Sequence, residues 1–244
     1  MTTILACGNT IAEPKKKYVV GVENIEYLPF YDGSMTTMQV YTGFSRALLE
    51  LFAKQNNIQF EFYTLPIPRL YKEFVEHQRV DFKYPDNPNW QKPYKVKQQV
   101  SINYSQDSIV PHTGIASLKE NISLSDCKII GKVRGFTLQG IPSLTNSGNV
   151  RIVESESVLD MIYLLYKERI NCIYISHNVL TYNIKEFFDV VAPVYFQHHL
   201  PIAKQAYKLS SVNYPEVVHK FDIFLKENTE EINALKRKHH IMIE

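Results

Sequence analysis

The sequence predicts an α/β protein of two lobes, each built on a sheet with helices against its faces. Three observations carry this expectation. Apolar, β-branched runs alternate with helical patterns in the order β-α-β-α-β. The alternation occurs twice, over residues 18–84 and again over 127–176. The end of the chain then departs from it, with one short strand pattern followed by two helices.

The first unit opens with "YVVGVE" (18–23), an apolar run with β-branched residues that reads as a buried strand. "NIEYLPFYDGSMTTMQV" follows as a loop, with a turn at Gly33 and Ser34. In "TGFSRALLELFAKQNN", Phe44, Ala47, Leu48, Leu51 and Phe52 share one face of a core-facing helix. "IQFEFY" (58–63) alternates with period two and predicts a strand. "IPRLYKEFVEHQ" reads as helical after Pro68, and "RVDFKY" (79–84) as the third strand. The residues from 98 to 114 are extended and β-rich, as a strand crossing between lobes would be.

The second unit repeats the theme without visible sequence identity to the first. "CKIIGKV" (127–133) is a strand, "RGFTLQG" a turn into a short helix, and "VRIVE" (150–154) a strand. "SVLDMIYLLYKE" puts Val158, Met161, Ile162 and Leu165 on one helix face, and "RINCIYIS" (169–176) closes the unit as a strand. At the end, "YKLSS" (207–211) is a short strand. A helix then begins near Pro215, with Val217, Val218, Phe221, Phe224 and Leu225 facing inward. Thr229 is expected to cap a last helix, with Glu230 and Glu231 in its first turn, where the helix dipole favours acids.

Composition narrows the function classes. The chain has 244 residues, 45% hydrophobic and 21% charged, enough for a sizeable core. Its net charge is +2 with no sustained Lys/Arg stripe, so nucleic acid is not an expected partner. No apolar run approaches the roughly 18 residues that span a bilayer. The 16 tyrosines and 13 phenylalanines suit either an aromatic core or a cleft that stacks planar or apolar groups. The three cysteines give no zinc spacing; Cys127 and Cys172 sit at strand positions, as buried thiols or as a disulfide in an oxidising compartment. Residues 1–17 read as an N-terminal tail. Its "ILAC" is similar to the end of a signal peptide or, with Cys7, of a lipoprotein leader; a start codon chosen too far downstream or a trimmed chain gives the same pattern. His112 and His177 are isolated, and the His pairs at 198–199 and 239–240 lack partners at ligand spacing, so no metal is expected.

One stretch is less generic. "DFKYPDNPNW" (81–90) ends a strand in two prolines, two asparagines, an aspartate and the only tryptophan. The prolines fix the backbone direction and the Asn/Asp side chains support tight turns, which would hold Trp90 in place for a ligand or over the core.

The order of these segments resembles the type II periplasmic solute-binding proteins, in the branch that includes polar amino-acid binding proteins. The likeness covers about residues 18–226. "YVVGVENIEYLPFYD" is similar to the family's first strand and its aromatic-Pro-aromatic ligand loop, and "YTGFSRALLELFAKQNNIQFEFYTLP" to its following helix and extended segment. "PRLYKEFVEHQRVDF", "VRGFT" and "SVLDMIYLLYKERINCIYIS" resemble later family motifs in the same order. The resemblance implies a mixed sheet in each lobe with helices on both faces, two crossover strands and hinge closure around a ligand. It implies lobe 1 over 18–105 plus 196–244 and lobe 2 over 106–195.

The departures bear on the ligand. Amino-acid binders of this family follow the third strand with a Thr/Ser-rich turn and an Arg that grips the ligand carboxylate. Here that place reads "PDNPNWQKPYK", without Arg, and the usual Asp for the ligand ammonium falls on Ser176. A standard amino acid is therefore doubtful as ligand.

Ligands of open α/β sheets bind beyond the carboxyl ends of strands. The candidate ligand-binding residues are accordingly Glu23, Tyr27, Phe30, Arg69, Lys83, Asp86, Asn87, Trp90, Arg134, Gly135, Phe136, Thr137 and Ser176. Arg134 is expected at a helix N-terminus, where guanidinium and backbone N–H groups would hold an anion. The expected function is an extracytoplasmic, periplasmic solute-binding protein. It would act as a monomer, without cofactor, taking a small polar or aromatic-bearing ligand for an ABC-type permease. A ligand-sensing module acting in trans is the second reading. A dehydratase-like enzyme is the third, with Glu23 and Asp86 as an acid/base pair, although no catalytic motif is present.

Overall fold

The computed structural model describes residues 15–34, 41–141, 150–188 and 192–242. Cys7 and the rest of the leader-like segment lie outside the described residues.

The first sheet is organised by β1 (Lys16–Glu23) and β5 (Phe82–Asp86), whose inner residues are buried on both faces, as parallel strands under helices must be. β1 runs parallel to β5 and to the edge strand β4 (Ile58–Leu65). β4 keeps the alternation read from its sequence, with Gln59, Glu61 and Tyr63 turned outward. A small hairpin of β2 (Glu26–Tyr27) and β3 (Tyr31–Asp32) follows β1. The sheet is completed by β6 (Asn103–Tyr104) and by β13 (Lys208–Ser211), which inserts antiparallel between β5 and β6, giving the order β4-β1-β5-β13-β6.

The second sheet comprises β7 (His112–Ser117), β8 (Ile129–Val133), β9 (Arg151–Ser155), β10 (Cys172–Ser176) and β11 (Tyr195–Phe196), in the order β11-β7-β10-β8-β9. β12 (Ala203–Lys204) also pairs with β7. β8 is parallel to β9 and β10, while β7 runs antiparallel to β10, so the sheet is mixed. Residues 195–204 thus belong to this sheet, whereas the sequence reading put everything from 196 onward in the first lobe. Residues 195–197 and 203–204 bond to β7 at the two ends of a short turn, and the chain leaves only afterwards. Cys127 and Cys172 form a disulfide with Cα atoms 5.5 Å apart, which decides between the two readings of those thiols.

The helices bury the stripes that their sequences carry. α1 (Phe44–Gln55) packs Phe44, Leu48 and Phe52 inward, joined by Leu49 and Ala53; the expected Leu51 packs against the core half-buried, and Ala47 is half-buried. Phe52 stacks on Phe60 of β4 and meets Phe221 and Phe224 of α6 (Pro215–Glu227). Truncating such a ring to alanine costs about 3–5 kcal/mol. α2 (Ile67–Tyr71) runs into a wider helical turn over Lys72–Glu76. α3 (Lys92–Gln98), with Pro93 in its first turn, follows the Trp90 loop and was not foreseen. α4 (Val158–Tyr166) and α5 (His177–Phe187) flank β10. α7 (Thr229–Lys238) closes the chain; Asn228 takes the cap position, and the Thr229 hydroxyl donates back to the Lys226 carbonyl instead. Among the described residues no helix is long and apolar enough to cross a membrane.

Two strands of chain cross between the sheets, at 105–111 and 205–207, and they lie side by side. Tyr207 N–H donates to the Ile109 carbonyl, Ser108 N–H to the Tyr207 carbonyl, and Gln205 N–H to the Pro111 carbonyl. The Ser108 hydroxyl ties this ribbon to Tyr84 of β5. A paired ribbon can twist, but it resists bending in its own plane. It is the sole backbone route between the two sheets.

Candidate functional site

Because β1, β5, β8 and β10 are positioned by parallel pairing, residues just past their C-terminal ends converge on the seam between the sheets. From the first side come Glu23 at the tip of β1, Tyr27 and Tyr31 of the hairpin, Ile67 and Tyr71 of α2, and Trp90 with Gln91. From the second side come Thr113 of β7, Gly135, Phe136 and Thr137 after β8, and Tyr174 of β10. Gln205 and Tyr207 of the returning ribbon form the back. The cavity measures about 40 Å³, room for roughly three or four water molecules.

Beneath the cavity lies a buried charge network. The Lys83 ammonium, on the fully buried strand β5, donates to the Pro85 carbonyl at 2.5 Å and stands 3.4 Å from Glu23 Oε1 and 3.9 Å from Asp86 Oδ1. Lys95 Nζ meets Asp86 Oδ1 and the Asn87 carbonyl, each at 2.8 Å. Tyr31 donates its hydroxyl to Glu23 Oε2 at 2.5 Å, and Tyr71 donates to Asp86 Oδ1 at 3.0 Å. Ser210 closes the other oxygen of Asp86 at 2.7 Å. Two acids and two bases share this floor, so its charges balance and most of its lone pairs are filled. That is the condition under which buried ions are tolerated. Burial, followed by the neighbouring carboxylates, pushes the Tyr31 and Tyr71 hydroxyls well above their ordinary range and keeps them as donors. Desolvation pulls Lys95 below its ordinary value, opposed by Asp86.

The two sides touch across the cavity. Gln91 Nε2 donates to the Gly135 carbonyl at 2.9 Å, and the Ser176 N–H donates to the Tyr27 hydroxyl oxygen at 3.2 Å. Gly135, at φ +84°, lies so close to Ile67 that a Cβ there would stand 2.9 Å from the Ile67 Cβ. Trp90 Nε1 donates to Gln205 Oε1 at 2.6 Å, and Gln205 Nε2 donates to the Tyr174 hydroxyl at 2.9 Å, so one chain of bonds runs from the Trp90 loop through the ribbon to β10. The cleft is closed.

No protein-family model and no curated protein sequence matches the chain. Solved structures do. An arginine third transport system periplasmic binding protein from Legionella pneumophila is 13% identical, with TM-score 0.73 over 92% of this chain and 100% of that one. An ancestral arginine-binding protein bound to arginine is 16% identical, with TM-score 0.72 over 93% and 99%. The substrate-binding protein of an amino-acid ABC transporter is 16% identical, with TM-score 0.70 over 91% and 98%. The chain has the two-lobed type II periplasmic-binding-protein fold.

Of the candidate residues, Glu23, Tyr27, Trp90, Gly135, Phe136 and Thr137 line the cleft. The other candidates do not line it. Phe30 is 0% exposed, with its ring against Tyr207, behind the wall. The Arg69 side chain is 61% exposed and stands 3.8 Å from Glu73 on its own helix. Lys83 and Asp86 form the floor network, so Glu23 and Asp86 do not present a pair of acids to a ligand. Asn87 holds its loop to the ribbon through the Ala206 carbonyl at 2.8 Å. Arg134 is a correction: its side chain is 56% exposed and pairs with Glu154 and Glu156. No helix begins at 134–141; Arg134 and Gly135 form a turn and 136–141 is irregular, while 142–149 lie outside the described residues. Ser176 contributes its backbone N–H to Tyr27. His177 stacks on Phe196 with centroids 4.7 Å apart. The residues missed were Tyr31, Ile67, Tyr71, Gln91, Thr113, Tyr174, Gln205 and Tyr207. The strand-end rule applied to β4 would have pointed to Ile67, whereas Gln205 and Tyr207 carry no local signal.

Proposed function

We propose that this protein is an extracytoplasmic solute-binding protein that captures a small polar or aromatic-bearing ligand between its lobes and delivers it to an ABC-type membrane permease. The observation that carries this reading is the cavity at the seam, walled from both sheets and backed by the ribbon that joins them. A site of that construction is completed by closure and needs no bond-making residues. We divide the lobes at the ribbon: 16–104 with 208–242 in one, 112–204 in the other. The likeness to binding proteins of amino-acid transport supports the transport role, and the Cys127–Cys172 disulfide supports an oxidising compartment. A standard α-amino acid is disfavoured, because the segment after the third strand, "PDNPNWQKPYK", holds no arginine, Ser176 stands where the family's aspartate is expected, and the cleft lining contains no arginine or lysine.

The test is a thermal-shift screen of the purified protein against a broad panel of small metabolites, with small-angle X-ray scattering on each hit. A ligand-dependent rise in melting temperature together with a more compact scattering profile supports the role. A broad panel without a hit, with an unvarying profile, refutes it.

A further inference from the structure

We propose that the cleft selects a compact organic cation, a primary or methylated amine carrying no carboxylate; this deepens the solute-binding reading above and rests on it. The lining contains one ionisable acid, Glu23, and no lysine, arginine or histidine. Around it stand the rings of Tyr27, Tyr31, Tyr71, Trp90, Phe136 and Tyr207. Aromatic faces carry negative potential and attract a desolvated ammonium. A carboxylate entering the same space would meet that potential and Glu23, and the nearest ammonium, Lys83, is already held by Glu23 and the Pro85 carbonyl.

The arginines are all placed elsewhere. Arg46 pairs with Glu50 and Arg79 with Glu73, Arg69 and Arg134 point outward, and Arg151, Arg169 and Arg237 are exposed. Lys95 is committed to Asp86 and Asn87. Lys83 gives its short bond to the Pro85 carbonyl and only a 3.4 Å contact to Glu23 Oε1. With Tyr31 on the other oxygen, the Glu23 carboxylate keeps lone-pair capacity for another donor. Lys83 also shows that these surroundings accept a buried cation, since its Nζ lies 4.8 Å from the Tyr71 ring centre and 5.7 Å from that of Trp90.

Titration calorimetry on the full chain tests the assignment with ethanolamine and choline as carboxylate-free cations, the neutral tert-butyl analogue of choline, and the common α-amino acids. The expected result is binding of at least one cation, with the neutral analogue weaker by about tenfold or more. Glu23→Gln is expected to weaken that cation by about 100-fold. Should Glu23→Gln fail to fold, Phe136→Leu serves in its place: it keeps apolar bulk, removes a ring face, and is expected to weaken the cation while leaving the neutral analogue unchanged. Binding of an α-amino acid with no response to either cation overturns the cation assignment and leaves the solute-binding role standing. Silence from every probe, with scattering that never changes, overturns both.

Discussion

Gly135→Ala is expected to hold the cleft open. The residue sits at φ +84°, and a methyl group there stands 2.9 Å from Ile67 Cβ and 3.1 Å from Ile67 Cγ2, across the seam. Ordinary carbon contacts lie at about 3.5–4.0 Å. Two costs follow. Positive φ strains any residue with a Cβ by roughly 1–2 kcal/mol, in both the open and the closed form. The overlap with Ile67, whose Cβ is fixed on α2, costs about 1–3 kcal/mol and exists only when the cleft is shut. The closed population therefore falls by about 5- to 150-fold. Gly140→Ala is the control: Gly140 is at φ +75°, and its added methyl meets Ala203 of β12, which pairs with β7 on the same side of the seam. Both variants should lose about 1–2 kcal/mol in urea unfolding from the positive-φ strain, and in Gly140→Ala the close Ala203 contact adds to that loss. Only Gly135→Ala should give an expanded scattering profile and weakened ligand binding. Equal expansion in both variants, or in neither, refutes the argument that Gly135 is small for the sake of closure.

Other expectations rest on separate features. Replacing Cys127 and Cys172 by alanine removes a cross-link spanning 45 residues and should cost about 4 kcal/mol by the chain-entropy estimate, read as a lower urea midpoint. Lys83→Met leaves Glu23 and Asp86 buried without their shared ammonium, and should destabilise the fold by about 3–5 kcal/mol in the same assay. Tyr27, Tyr31, Tyr41, Tyr71, Tyr84 and Tyr207 all have raised ionisation, chiefly from burial. Their contribution is whole below the unfolded value near 10 and is lost as pH rises toward the folded values, at about 1.4 kcal/mol per pH unit for each. Lys95 and Lys236, both lowered from 10.5, act in the opposite sense between their folded values and 10.5, two groups against several. Unfolding free energy should thus decline above about pH 10 in step with tyrosinate absorbance. Trp90, the only tryptophan, bonds to Gln205 in the ribbon, so its fluorescence should shift when ligand binds and should lose that response in Gln205→Leu.

The strands were legible because their composition is local: "YVVGVE" and "CIYIS" are buried on both faces and read as continuous apolar runs. Strand-tip reasoning then pointed to Glu23, Trp90 and Gly135–Thr137, which line the cleft. It failed where facing decides, since a hairpin turns neighbours to opposite sides. Phe30 went into the core while Tyr31 took the cleft. Arg134 failed for an electrostatic reason, because Glu154 and Glu156 on the adjacent strand and just beyond it draw it outward. Lys83 and Asp86 looked like ligand contacts because charges in a buried strand demand partners. The partners proved to be each other, Glu23 and Lys95, which no spacing in the sequence reveals.

The strand order also fixes the order in which the two halves can be completed as the chain emerges. Every described strand of the second sheet lies between residues 112 and 204, whereas the first sheet lacks a middle strand until Lys208–Ser211 emerges and slots in beside β5. The half synthesised first is therefore the half finished last. Until then the open flank of β5 is an unpaired edge, the kind of surface that chaperones cover and aggregates exploit.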